Sequence, residues 1–144
     1  MSDVLKVATQ AQQVNAASLT ADEALTFNTW SAGLTYKLDI SVWVTVAGGG
    51  GGAVGITGPA DATGGYDITL DNNAPVRKTS LNDPVSGNST IVPNGNHKVR
   101  IEGIVFQGND NGPIAFRFGL NNQPGGATIT RMIGGSMKAD AATP

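Results

Sequence analysis

The sequence predicts an all-β protein, an antiparallel jelly-roll-like β-sandwich with an N-terminal arm, and three observations carry that prediction. The run Tyr36 to Val46 sets Tyr36, Leu38, Ile40, Val42, Val44 and Val46 against Lys37, Asp39, Ser41, Trp43 and Thr45, the period-two pattern of a strand with one buried face. From Leu25 onward every strongly periodic segment alternates by two, and none sustains a helical stripe. Clusters of Gly, Asn, Asp and Pro recur between those segments at short spacing, which is how sandwiches and jelly rolls are punctuated.

Taken in order, residues Met1 to Ala24 stand apart, rich in Ala and Gln and free of glycine. Val4, Leu5, Val7, Ala8, Ala11 and Val14 make only a broken helical stripe, so residues 1–24 read as an arm, extended or partly helical. Within it, Leu19 to Glu23 suits a turn or one helical turn, with Thr20 as cap and Glu23 three residues on. Residues 25–138 are the expected sandwich and 139–144 a short polar tail. Ala24 to Trp30 is a first strand, with Leu25 and Phe27 on one face.

Tyr36 to Val46 is the longest strand; at about 3.3 Å per residue it spans roughly 36 Å, enough to set the register of shorter neighbours. The five glycines Gly48 to Gly52 read as a pliant hairpin tip. A phosphate-cradling loop would need a Gly-Lys-Ser/Thr ending and a following helix, whereas Ala53 to Thr57 reads as strand. Gly58-Pro59 stops that strand, and Tyr66 to Asp71 alternates again. Val76 to Val92 offers two short edge strands around Asn82-Asp83-Pro84. Asn94-Gly95 turns the chain into the clear strand His97 to Phe106. Ile114 to Leu120 and Ala127 to Ile133 complete eight or nine strands.

The charged content is 14%, low against a usual value of about 25%, so a surface made of Gly, Asn, Thr, Ser and Ala is expected to face other protein. Net charge is −2 and no basic cluster exceeds Arg77-Lys78, which gives no nucleic-acid footprint. Cysteine is absent, removing disulfides and thiolate metal sites. The first residues lack the basic and apolar regions of a signal peptide, and no apolar run approaches the roughly 20 residues of a membrane-spanning helix. A soluble, unexported product without a cofactor is the expectation.

Candidate sites are few. His97 is the one histidine, and with no G-x-S-x-G motif it is expected to be structural rather than part of a catalytic triad. Asp71 with Asn72 and Asn73, and Asp110 with Asn109 and Asn111, are turns explained by local hydrogen bonding, with a hard cation such as calcium as the alternative. Asp39 and Glu102 sit mid-strand, their expected partners being Lys37, Arg100, Arg117 and Arg131 rather than a substrate. Tyr36 and Tyr66 are expected in the core. Trp43 is out of place on the polar row of the longest strand, and packing into a partner subunit accounts for it.

The strings AGLTYKLDISVWV, ITGPA, VRIEGIVF, IAFRFG and ATITRMIGGSM resemble a family of small tailed-phage virion proteins over Leu25 to Met137. That family has a jelly-roll or tumour-necrosis-factor-like sandwich, forms trimers, and decorates a head or tips a fibre. The five-glycine run departs from the Thr-rich and Ser-rich segment expected there. The resemblance implies no catalytic residues and a place on the capsid surface of a virion, after synthesis in the host cytoplasm. A fibre needs a shaft or a long attachment segment, so a trimeric capsid decoration (cement) protein is the expected role. Its partners would be itself and the major capsid protein or another virion protein, with Val4, Leu5, Val7 and Val14 of the arm and Trp43 as the partner-binding residues. The alternative is a receptor- or glycan-binding tip of a tail or head fibre, its loops carrying Trp30.

Overall fold

A computed structural model describes residues 3–28, 33–49, 51–82, 92–110, 112–121 and 125–142. Among them run eleven strands: β1 (Asp3–Val7), β2 (Gln12–Val14), β3 (Thr20–Asn28), β4 (Thr35–Ala47), β5 (Gly52–Thr57), β6 (Thr63–Leu70), β7 (Val76–Lys78), β8 (Gly95–Phe106), β9 (Pro113–Leu120), β10 (Thr128–Arg131) and β11 (Ser136–Ala142). The larger sheet has the order β1-β11-β4-β8-β6-β7, with β10 also paired to β4 and β2 paired to β10; the smaller has the order β3-β9-β5. All pairings are antiparallel. From β3 to β6 the chain alternates between the sheets, as a jelly roll's does. The expected antiparallel β-sandwich is what forms.

Strand β4 is the spine because its alternation is unbroken. Tyr36, Leu38, Ile40, Val42, Val44 and Val46 are all buried. On one edge it pairs with β8 from Thr35↔Phe106 to Val46↔Gly95. Its other edge is shared, β11 taking Thr35 to Ser41 and β10 taking Val44 to Ala47. Facing it across the core are the smaller sheet's Leu25, Val54, Ile56, Phe116, Phe118 and Leu120, each fully buried. The Phe116 and Phe118 rings stack at 5.7 Å, and Phe27 meets Tyr36 at 5.6 Å.

The second row of β9 is buried too. Ala115 and Arg117 are buried, and Gly119 lies under the connection from β2 to β3, where Leu120 N–H donates to the Ala16 carbonyl. A β-carbon on Gly119 would stand 2.0 Å from the Ser18 carbonyl oxygen, so only glycine lets that backbone lie so close.

Four sequence expectations need correction. The expected arm, residues 1–24, is part of the sandwich from Asp3 on: β1 extends the larger sheet beyond β11, β2 pairs with β10, and β3 begins at Thr20, where a turn or one helical turn was expected. The polar tail is strand as far as Ala142. The glycine run is no hairpin tip, since β4 and β5 belong to different sheets. It is a crossover whose Gly48 has φ +88° and would put a β-carbon 2.6 Å from Ala127 Cα. Val14 is buried in the core and is not available to a partner. The Asp83-Pro84 turn lies outside the described residues.

One ion pair ties the two sheets together. Arg131 on β10 and Asp22 on β3 have side chains 2% and 0% exposed. Arg131 Nε donates to Asp22 Oδ2 at 2.5 Å and Nη2 donates to Oδ1 at 2.8 Å. The β3–β9 ladder shifts register between Ala21 and Thr26, and in that interval Asp22 Oδ1 accepts the N–H groups of Ala24 (2.9 Å) and Leu25 (3.2 Å). Arg131 Nη1 donates to the carbonyls of Gln10 and Met132, so the same guanidinium fastens the segment joining β1 to β2. Asp22→Ala would strand a buried guanidinium and should cost about 3–5 kcal/mol in chemical denaturation. The double variant Asp22→Leu/Arg131→Met should recover only part of that loss, because the Ala24 and Leu25 N–H groups and the Gln10 carbonyl lose their partners; a cost in the single variant below about 1 kcal/mol would mean that water reaches the pair.

Candidate interaction face

Strand register builds the outer face of the larger sheet row by row. Trp43 pairs with Lys98; Val7, Ser136, Ser41, Arg100 and Thr69 form the next row; Leu5, Lys138, Asp39, Glu102, Asp67 and Arg77 the next; then Asp140, Lys37, Ile104 and Gly65; then Thr35, Phe106 and Thr63. Charges fill the middle. Arg100 reaches Asp39 at 3.4 Å and Glu102 at 3.5 Å, while Arg77 Nε meets Asp67 at 2.9 Å. Asp39 and Glu102 therefore share Arg100, as expected, whereas Arg131 serves Asp22 instead.

Apolar side chains flank this charged band. Among the described residues the exposed large apolar side chains are Leu5, Val7, Trp43, Ile104, Phe106, Met132 and Ile133, and all belong to this face or its rim. Met132 and Ile133 follow β10 in the turn toward β11, where Met132 N–H donates to the Trp43 carbonyl at 2.9 Å. With Trp43, Thr45 and Asn96 they line a hollow of about 270 Å³. Trp43 is 53% exposed, so it lies off the core as its place in the alternation required. Leu5 and Val7 share the face along the edge strand β1; Val4 pairs with Ala139, its side chain lying outside the described residues.

Sequence reasoning picked out Trp43 but passed over Ile104, Phe106, Met132 and Ile133. For Ile104 and Phe106 the signal was present, since both fall on the solvent row opposite Val99, Ile101, Gly103 and Val105. Met132 and Ile133 sit at a strand end, where alternation gives no guide. Trp30 lies outside the described residues. Tyr36 and Tyr66 are core as expected, Tyr36 donating its hydroxyl to Gln107 Oε1 at 3.1 Å.

His97 is held in a clip at the start of β8. Its Nδ1 lies 2.8 Å from Asp71 Oδ2 and its Nε2 3.3 Å from the Asn94 carbonyl. The Lys98 N–H donates to Asp71 Oδ1 at 3.0 Å. A triad histidine needs Nε2 free to take a hydroxyl proton; here that nitrogen faces a carbonyl, which can only accept. Both ring nitrogens thus find acceptors, and the imidazolium is favoured. The hydrogen bond to Asp71 raises His97 above its ordinary 6.5, against the opposing effect of burial. The bonds from His97 and the Lys98 N–H lower Asp71 below 3.8. That carboxylate is therefore engaged by protein donors. Among the described residues no group of three or more His, Asp or Glu is placed to hold a metal ion, and Asn111 of the other acidic turn lies outside them.

No protein-family model matches the chain, and no curated protein matches it. Among solved structures it is similar to a family two carbohydrate esterase from Cellvibrio japonicus, at 10% identity and a TM-score of 0.25, over 94% of this chain and 35% of that one. At that score the likeness bears on neither fold nor function.

The clip makes a pH prediction whose sign follows from the two shifts. Below pH 6.5 the imidazolium exists in folded and unfolded chains alike and its bond stabilises the fold in full; that contribution is lost as pH rises through the raised folded value. Asp71 contributes above 3.8 and is lost as pH falls through its lowered folded value. His97→Gln should therefore cost most between those ordinary values and progressively less above neutral pH. An NMR titration of His97 with a midpoint at or below 6.5 would show the clip unformed.

Proposed function

We propose that this chain is a non-enzymatic structural protein of a phage virion, a trimeric decoration (cement) protein that binds an assembled head and stabilises it. The observation that carries the reading is the gathering of the exposed large apolar side chains on one face of one sheet. Singly scattered apolar residues are ordinary on a monomer, whereas a shared face of aromatic, Met and branched aliphatic side chains is the composition of an interface core. The low charge of the chain and the resemblance to small virion proteins support the same reading. So does the engagement of His97 by Asp71 and Asn94, which leaves its imidazole without a proton-accepting nitrogen to offer a nucleophile.

In this reading Trp43, Met132 and Ile133 anchor the contact between subunits. Leu5 and Val7 act from within the sheet, on an edge strand already in place, and not as parts of a free arm that orders on contact. Attachment to the head then carries little ordering cost, and three copies of the face on one trimer bind with avidity.

Sedimentation should find a trimer at micromolar concentration. Trp43→Ala should weaken it by about 2 kcal/mol or more, roughly 30-fold, with an unchanged far-UV circular dichroism spectrum, because the side chain lies off the core. A wild-type chain that remains monomeric removes the trimer. Purified protein that fails to bind heads lacking their own copy removes the decoration role.

A further inference from the structure

The far end of the outer face carries a second feature, separated from Trp43 by the charged band. A groove of about 550 Å³ opens there, within the range of about 300–1,000 Å³ typical of small-ligand sites. Gly64 and Gly65 of β6, paired with β8, contribute backbone to its lining. The end of β7 forms one wall: a β-carbon on Gly65 would stand 2.6 Å from the Lys78 carbonyl oxygen. Ile104 and Phe106, 46% and 50% exposed, form the other.

We infer that this groove binds a neutral oligosaccharide. Its polar lining is of both signs and partly fixed in place: Asp67 accepts from Arg77 Nε at 2.9 Å and from Nη2 at 3.3 Å, and Glu102 and Lys37 stand beside Ile104. A phosphate or sulfate would be drawn by converging cationic donors but would meet two carboxylates here. A hard cation would want those carboxylates without Lys37 and Arg77. A wholly apolar ligand would strip water from charged groups of both signs, Lys37, Asp67, Arg77, Lys78 and Glu102, and return no hydrogen bond. A sugar ring matches the set. Its C–H face lies on Ile104 and Phe106, while its hydroxyls, each able to donate and to accept, reach carboxylate and cation alike. Its volume of about 550 Å³ accommodates more than one ring.

The test starts with the full chain on an array of neutral oligosaccharides built from glucose, galactose, mannose and N-acetylglucosamine, followed by calorimetry with the strongest binder. Binding in the micromolar to millimolar range is expected. Phe106→Ala and Arg77→Gln should each weaken it about tenfold with unchanged circular dichroism. Absence of binding to every sugar at millimolar concentration overturns the inference, as does binding that both groove variants leave unchanged. If those variants lower trimer affinity in sedimentation instead, the groove belongs to a protein contact and the inference falls. Loss of sugar binding would not touch the trimer, which is read independently through Trp43.

Discussion

Strand β4 is paired along one edge from Thr35 to Val46 and along the other from Thr35 to Ser41 and Val44 to Ala47, and is buried along one whole face, so its register is fixed twice over. A slip of one residue would carry Tyr36, Leu38, Ile40 and the valines to solvent and bring Lys37, Asp39 and Trp43 into the core. Because β8, β10 and β11 all take their register from this strand, the outer face inherits its order: Trp43 stands at one end, the paired charges in the middle, and Ile104 with Phe106 at the other. The candidate sites are consequences of that alternation, displayed on the side of the sheet that the core does not use.

The Asp22–Arg131 pair shows what the smaller sheet adds. Two side chains removed from water this completely lose several kcal/mol of hydration each, and their attraction offsets that loss only with good geometry and further hydrogen bonds. Both conditions are met here. The carboxylate is doubly bonded to the guanidinium and also takes two backbone N–H groups from the irregular stretch of β3, while the guanidinium reaches the Gln10 and Met132 carbonyls. An apolar pair could fill the space. It could not satisfy the backbone of that stretch or hold the β1–β2 connection, so the charges specify where the N-terminal segment runs.

Most of the fold was legible in the sequence, because a strand over a deep core writes its burial into a period of two. The segments that were missed or misjudged lie where that signal is weak or absent. In β1, Leu5 and Val7 point outward at the sheet's edge, where little core lies beneath, so the segment shows no alternation and reads as an arm. In β11 the alternation is present, with Met137, Ala139 and Ala141 buried between Lys138 and Asp140, but alanine is too weak a signal to separate a strand from a polar tail. The glycine run gave no hint of its destination, since glycine permits a hairpin and a crossover equally. Asp22 was hidden for another reason. A single acid beside a single glutamate carries no mark of a partner that lies 109 residues away.

The charged band decides how the outer face can be used. Apolar side chains at its two ends gain by leaving water, whereas Arg100, Asp39, Glu102, Asp67 and Arg77 satisfy one another at an exposed surface and would gain little from burial, since exposed pairs contribute about 0–1 kcal/mol each and their desolvation opposes any contact laid over them. A partner covering the whole face would have to supply matching charges across its middle. Two separate contacts, each confined to one apolar end, avoid that cost. The same division gives the ends different chemistries. Around Trp43 the hollow's Thr45, Asn96, Met132 and Ile133 are uncharged, with Lys98 paired beside it, which suits packing against another protein. Around Ile104 and Phe106 the groove keeps Lys37, Asp67, Arg77 and Glu102 at its margins, which suits a ligand that can exchange hydrogen bonds with both signs while laying one apolar side on the wall.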